Sequence, residues 1–173
     1  MMRVGILTVS DRAFAGEYVD QSGPALREAV VEALKAEVVR YAIVADDWEA
    51  IHHALIAWTD EDRLDLILTT GGTGFAPRDI TPEVTRSLIE REAPGLVFAM
   101  VHYGLQITPH AVLTRAVAGI RGRTLIVNLP GSPKAARENF SVIAPALPHA
   151  IALLRGVPMA EKDHIAGPSA APP

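Results

Sequence analysis

The chain has 173 residues, of which 49% are hydrophobic, 5% aromatic and 21% charged, with a formal net charge of -4. This length predicts one domain with a core of aliphatic side chains, and the charge gives no electrostatic argument for a nucleic-acid or membrane partner. Cysteine is absent, which excludes disulfides, thiolate metal sites and cysteine nucleophiles. Strand-like sequence begins at once and no apolar run is of membrane-spanning length, so we expect a cytoplasmic protein.

Short runs rich in β-branched residues alternate with longer segments of helical period. This alternation predicts an α/β fold in which helices surround a mostly parallel sheet. The predicted strands are Arg3 to Val9, Val38 to Val44, Asp65 to Thr69, and Arg123 to Leu129.

Helices are predicted between these strands. The first begins at Ser22, whose hydroxyl is expected to cap it, and runs to about Glu37. The second is expected to bury a stripe of four residues at helical spacing, which are Trp48, Ile51, Leu55 and Trp58. The later helices are predicted from Thr81, over Pro94 to Leu105, from a Ser132 cap, and, beyond Pro145 and Pro148, to about Arg155.

The two ends of the chain differ in composition. Residues 1–156 carry the alternating pattern and form the predicted domain, whereas residues 157–173 are rich in proline, alanine and glycine and show no period. Such a segment buries too little apolar surface to order itself, so we expect a flexible tail.

Four loops follow the predicted strands, at the edge where open α/β sheets bind their ligands. They are Ser10 to Ser22, Asp46-Asp47, Thr69 to Thr81, and Pro130 to Lys134. In the first loop, Arg12 could pair with Asp20 or with a ligand anion. In the last, Ser132 stands at a helix start and Lys134 in its first turn, where a cation opposes the helix dipole and so indicates an anionic neighbour.

The third loop contains three glycines within four positions, in Gly71-Gly72-Thr73-Gly74. Backbone amides in such a loop can turn towards a bound phosphate without interference from a Cβ atom. The loop is not a Walker motif, because it has no lysine, and Pro77 stands where a dinucleotide fingerprint has its third glycine. These residues alone leave phosphate binding and a purely structural turn equally open.

Two carboxylates follow strands at the same predicted edge, Asp46 and Asp79. Magnesium is usually held by one or two carboxylates together with substrate phosphates, which suits phosphoryl or nucleotidyl transfer. The alternative is that both aspartates cap the helices behind them, and the residues by themselves favour capping.

Histidine and serine patterns indicate no other catalytic site. His52 and His53 are adjacent, so they face different sides of a helix and make a poor metal pair. We expect structural or surface roles for all six histidines. No serine stands in a G-x-S-x-G elbow, which argues against an α/β-hydrolase.

Four blocks of the chain, taken together, resemble one known family. They are "TVSDRAFAGEYVDQSGPAL", "TTGGTGFAPRDITPE", "AGIRGRTLIVNLPGSPK" and "LPHAIALLRG". In this order they resemble the molybdopterin adenylyltransferases of the MogA/MoaB type, over about Val4 to Gly156. The chain lacks an insertion that some MogA proteins carry before the final helix, so it is similar to the shorter, MoaB-like form.

The resemblance implies a three-layer α/β/α domain that assembles as a trimer or hexamer, and Pro94 to Leu105 is the helix expected at the subunit contact. It implies an enzyme of molybdenum cofactor biosynthesis, in which molybdopterin attacks the α-phosphate of ATP and pyrophosphate leaves. Its implied cofactor is Mg²⁺, and a molybdate-inserting protein is an implied partner. The main alternative is a non-catalytic molybdopterin-binding carrier on the same fold; another nucleotide transferase or hydrolase is a more distant one.

The resemblance also implies roles for particular residues. Asp46 and Asp79 correspond to the catalytic, metal-linked carboxylates, which reverses the preference for capping. The substrate-binding residues are implied to be Ser10, Asp11, Gly71, Gly72, Thr73, Gly74, Pro130, Gly131, Ser132 and Lys134.

Overall fold

Six strands form one sheet at the centre of the computed structural model, which describes residues 1–158. They are β1 (Arg3–Val9), β2 (Glu37–Val44), β3 (Leu66–Thr70), β4 (Arg91–Glu92), β5 (Ala118–Arg121) and β6 (Thr124–Leu129). Their order across the sheet is β2-β1-β3-β6-β5-β4, with β1, β2, β3 and β6 parallel and the other pairs antiparallel. The predicted α/β fold with a mostly parallel sheet is therefore confirmed.

Seven α-helices connect these strands within the described residues. They are α1 (Asp11–Phe14), α2 (Ser22–Leu34), α3 (Trp48–Ile56), α4 (Thr81–Leu88), α5 (Pro94–Leu105), α6 (Pro133–Ile143) and α7 (Leu147–Leu154). A π-helical segment, Ala57–Glu61, continues α3, and short 3-10 helices cover Pro109–Leu113 and Ala144–Ala146. In residues 1–158, none of these helices combines the length and the apolar character needed to cross a bilayer.

The helices cover both faces of the sheet because side chains alternate along each strand. Val4 and Ile6 of β1 pack in a core with α2, α5, α6 and α7, whereas Leu7 and Val9 pack in a second core with α3 and α4. The three-layer arrangement expected from the family resemblance is thus present.

Three local predictions about the helices are wrong. Helix α2 ends at Leu34 and not near Glu37, because Lys35 adopts a left-handed conformation with φ 50° and β2 begins two residues later. The Ser22 hydroxyl does not cap this helix; the Asp20 carboxylate accepts its first amides instead. Trp48 leaves the predicted buried stripe and is 40% exposed.

One further difference concerns two short strands, and one prediction concerns residues that the structure does not describe. The short antiparallel strands β4 and β5 were not predicted, because two and four residues are too few to show a period. The predicted tail lies outside the described residues from position 159 onward.

The sheet has a topological switch point between β1 and β3, where the direction in which successive strands are added to the sheet reverses. After β1 the chain crosses to β2 on one side, and after β2 it returns past β1 to β3 on the other side. The loops after β1 and β3 therefore separate at the carboxyl edge, and a crevice of this kind is the usual ligand position in open α/β sheets.

Candidate active site

A cavity of about 230 Å³ lies at this switch point. Its walls come from the loops after β1, β2, β3 and β6, and they include Ser10, Asp20, Asp46, Gly71, Gly72, Asp79 and Gly131. Among the described residues, no lysine, arginine or histidine lines it. The cavity therefore presents three carboxylates and backbone groups to anything that enters.

The first loop is held to the second by a reciprocal pair of hydrogen bonds. The Asp11 amide donates to Asp46 Oδ2 at 2.9 Å, and the Asp46 amide donates to Asp11 Oδ1 at 3.0 Å. Ser10 caps α1 by accepting from the Ala13 amide. Arg78 forms an ion pair with Asp11 and also donates to the Asp46 carbonyl. Arg78 belongs to the loop from Thr69 to Thr81, which we call the glycine loop, so these contacts join the glycine loop to the first two loops.

The electrostatics of the two paired aspartates differ. Hydrogen bonds from Arg78 lower the pKa of Asp11. Burial raises the pKa of Asp46, and the nearby carboxylates of Asp11 and Asp79 add to this effect against the opposing amide hydrogen bond. Because Asp46 lies in a field that disfavours its negative charge, a divalent cation beside it would be stabilised.

The two carboxylates do not cap helices among residues 1–158. The cap of α3 is Asp47, which accepts from the Ala50 amide at 3.0 Å, and α4 begins without a side-chain cap. Asp79 Oδ2 instead accepts from the Ala76 amide at 2.9 Å, within its own loop. The capping alternative for Asp46 and Asp79 is therefore wrong.

The glycine loop is shaped by packing as well as by any ligand. A Cβ on Gly71 (φ 100°) would lie 2.2 Å from the Val9 carbonyl oxygen, and one on Gly72 (φ 64°) would lie 2.3 Å from Thr81 Oγ1. Thr81 donates its hydroxyl to the Gly71 carbonyl and its amide to the Gly72 carbonyl. These two glycines are thus required by the turn itself.

The next part of the loop has free donors. Within residues 1–158, the amides of Gly72, Thr73 and Gly74 donate no hydrogen bond to a protein acceptor. Gly72, Thr73 and Gly74 line a second cavity of about 500 Å³. Consecutive free amides at a strand exit are suited to binding an anion.

This larger cavity is mostly apolar and adjoins the first. Its walls include Val97, Met100, Tyr103, His110, Ala135 and Asn139, from α5, α6 and the 3-10 helix at Pro109–Leu113. The two cavities share Gly72, Asp79 and Gly131. A ligand with an apolar part and a polar part could therefore contact both cavities.

The structure brings together most of the predicted site residues, but not all. Thr73, Gly74 and Pro130 line the larger cavity only. Ser132 caps α6 and lies outside both linings. Lys134 also lies outside them; its side chain is 81% exposed and 3.9 Å from Glu138, which supplies the anionic neighbour that its position indicated.

The suggested pairing of Arg12 with Asp20 is wrong. The Cζ atom of Arg12 lies 5.5 Å from the centre of the Tyr18 ring. Asp20 accepts hydrogen bonds from the hydroxyls of Thr8, Ser22 and Tyr41 instead. Sequence inspection also missed Arg115, whose side chain holds the glycine loop from 36 to 41 residues away. No local pattern signals such a contact.

We predict that Gly74→Ala lowers the rate of the reaction catalysed at this site about tenfold but changes the free energy of unfolding by less than ~1 kcal/mol. A Cβ at Gly74 would lie 2.9 Å from Asp79 Oδ2, so the carboxylate has to move, while the backbone needs no left-handed conformation. Initial rates and thermal unfolding measure the two effects.

Gly95→Ala is the control, because a Cβ there meets nothing within 4 Å. Gly72→Val is a poorer test, since a branched residue at φ 64° against Thr81 destabilises the fold as well. An unchanged rate in Gly74→Ala would show that the carboxylate position does not matter.

Comparison with known proteins identifies the family. A family model described as "probable molybdopterin binding domain" matches residues 5–149. The chain belongs to this family. It is 44% identical to the molybdopterin adenylyltransferase of Helicobacter pylori, over 90% of this chain and 89% of that protein.

Other members of the molybdopterin-binding family extend this result. The crystal structure of the molybdopterin biosynthesis enzyme MoaB from Thermus thermophilus superposes with a TM-score of 0.86, at 54% identity, covering 90% of this chain and 98% of that one. Gephyrin of Dictyostelium discoideum is 47% identical over 90% of this chain, which spans only 23% of its length. The resemblance seen in the four sequence blocks is confirmed.

Proposed function

We propose that this chain is a molybdopterin adenylyltransferase that uses Mg-ATP to convert molybdopterin into adenylylated molybdopterin and pyrophosphate. The observation that carries the proposal is the pair of adjoining cavities with Asp79 and Gly72 at their shared border. The names of the Helicobacter pylori and Escherichia coli relatives, 44% and 37% identical to this chain, support the same reaction.

The linings of the two cavities support an assignment of the parts of the substrates. The larger, mostly apolar cavity takes a flat heteroaromatic ring, with Tyr103, His110 and Asn139 as polar or aromatic contacts. In this assignment the phosphates lie near the border, where Gly72 is next to Asp46 on the side of the smaller cavity and Gly74 is next to Asp79. The two substrate phosphates are thereby brought within reach of one another, which lowers the entropic part of the barrier.

The residues at the border fit a magnesium ion. Within residues 1–158, no group of three or more acidic or histidine side chains is arranged to bind a metal unaided. Two carboxylates completed by substrate phosphates are a usual Mg²⁺ site. The acidic cavity would repel phosphates without a cation, since Arg78 is already paired with Asp11 and Lys134 lies outside the linings.

In this mechanism Asp46 and Asp79 would hold Mg²⁺, which would supply charge neutralisation at the phosphates. The amides of Gly72, Thr73 and Gly74 orient the phosphate oxygens. A terminal phosphate oxygen of molybdopterin forms a bond to the α-phosphorus of ATP, and the bond to the pyrophosphate oxygen breaks. No side chain has to act as a nucleophile.

The test is to incubate the purified protein with molybdopterin and Mg-ATP and to measure adenylylated product and pyrophosphate. Both should accumulate in equal amounts, and neither should form without ATP. Tight molybdopterin binding with no product would instead indicate the carrier function, and the absence of binding would contradict both.

We further propose a homo-oligomer, a trimer or a hexamer, built on α5. This helix is apolar on nearly all sides, yet Met100 is its one buried residue and Phe98 is 71% exposed. Exposed apolar surface of this kind is typical of a subunit contact.

Light scattering should therefore give at least three times the chain mass at micromolar concentration, and Phe98→Ser should lower that mass. A monomeric wild type would contradict the assembly.

A cytoplasmic location and a molybdate-inserting partner stay predictions.

A further inference from the structure

Arg115 reaches the glycine loop from a different part of the chain. It lies between the 3-10 helix at Pro109–Leu113 and strand β5. Its Nε donates to the Gly74 carbonyl at 2.7 Å, its Nη2 donates to the Asp79 carbonyl, and its own backbone amide donates to the Thr73 carbonyl at 2.9 Å. One residue thus contacts both ends of the segment that carries Asp79.

The rigidity of the guanidinium gives these contacts their effect. Its donors lie in one plane at fixed angles, so two carbonyls that bind it have a fixed separation. A lysine ammonium cannot impose this geometry, because it is a point charge on a flexible stem. The Gly74 and Asp79 carbonyls are therefore held at one spacing, and the loop between them at one shape.

The guanidinium is itself anchored. Its Nη1 forms an ion pair with Glu83, in the first turn of α4, and its side chain is 33% exposed. Leu113 and Thr114, the two residues before it, line the larger cavity. Arg115 therefore connects three parts of the site: the cavity wall, the start of α4 and the glycine loop.

We propose that Arg115 is a positioning residue that sets the place of the Asp79 carboxylate and of the free amides beside it. The proposal rests on the function proposed above, since Asp79 is there a metal-holding group. Arg115 does not line either cavity and acts only through the loop.

The test is Arg115→Lys, which keeps the positive charge beside Glu83 but loses the two-carbonyl geometry. We expect kcat to fall between ~10- and ~100-fold, because a displacement of about 1 Å at a reacting group can cost 10²-fold. Molybdopterin affinity should stay within about threefold, and hydrogen exchange in residues 71–80 should accelerate.

Two variants serve as controls. Arg121→Lys changes an arginine with the same kinds of partner, the Asp60 carboxylate and the Leu88 carbonyl, away from the site, and should leave kcat unchanged. Glu83→Gln keeps an acceptor for Nη1 while removing its charge, and should alter kcat by less than ~5-fold, the range of a partly exposed ion pair.

The outcomes separate the two proposals. A lower melting temperature in Arg115→Lys with unchanged kcat and unchanged loop exchange would overturn the positioning role and leave a purely structural one. If the wild type makes no adenylylated product, the proposed function fails, and loop exchange in Arg115→Lys still decides whether Arg115 holds the loop.

Discussion

Asp46→Asn and Asp79→Asn are each expected to lower the rate of adenylylation on the order of 10²-fold or more, about 3 kcal/mol in the barrier. Asparagine keeps the size of the side chain and an acceptor for the Asp11 or Ala76 amide, but it removes the charge. That charge matters most where phosphate charge is redistributed, in the transition state. Steady-state rates with Mg-ATP measure the loss.

Molybdopterin should still bind both variants within about a factor of ten, a limit of ~1.4 kcal/mol, because its ring and phosphate rest on other groups. Asp47→Asn is the matched control: it is adjacent, exposed and caps α3, and asparagine caps a helix equally well. It should remain fully active. Variants at positions 46 and 79 that kept wild-type rates would refute the metal site.

Asp20→Ala is expected to lower the free energy of unfolding by about 3 kcal/mol, the cost of leaving several buried donors without an acceptor. Asp20 is 8% exposed, and its carboxylate accepts from the hydroxyls of Thr8, Ser22 and Tyr41, at 2.6 to 2.9 Å, and from the amides of Ser22 and Gly23. It therefore ties β1 and β2 to the start of α2. Urea unfolding at neutral pH measures the change.

The loss of stability caused by Asp20→Ala should depend on pH and should become smaller in acid. Burial opposes ionisation of Asp20, but the hydrogen bonds from Thr8, Tyr41, Ser22 and Gly23 outweigh it and lower the pKa of the folded state. The stabilisation is then complete above the unfolded pKa of about 3.9 and is lost as the pH falls through the lower folded value. The stability difference between wild type and Asp20→Ala should shrink on acidification.

Asp47→Ala is the comparison, since an exposed helix cap is worth only ~1 kcal/mol. If Asp20→Ala cost no more than Asp47→Ala, the buried network would contribute little to stability. A difference between wild type and Asp20→Ala that grew towards acid pH would contradict the assigned sign.

The sequence predicted the main strands to within a residue because each is a short run rich in aliphatic and β-branched residues, as is typical of strands in a parallel sheet that helices cover on both faces. It predicted the α5 bounds, Pro94–Leu105, through a proline that begins the helix and the end of an apolar run. It could not show that Trp48 is exposed, since a helical period says which residues share a face and not how far the neighbouring elements extend.

For the site, the sequence by itself determined that Asp46, Asp79 and the glycine loop lie at one edge, because the carboxyl ends of parallel strands meet there. Which residues hold them was decided only by the tertiary structure. The Arg78–Asp11 pair joins residues 67 apart and the Arg115–Gly74 contact residues 41 apart. Such pairs depend on how strands and loops pack in space, and neither residue carries a local pattern that identifies its partner. The tertiary structure also decided which aspartate caps α3. Asp47 is the cap, and Asp46, the residue before it, lines the smaller cavity instead.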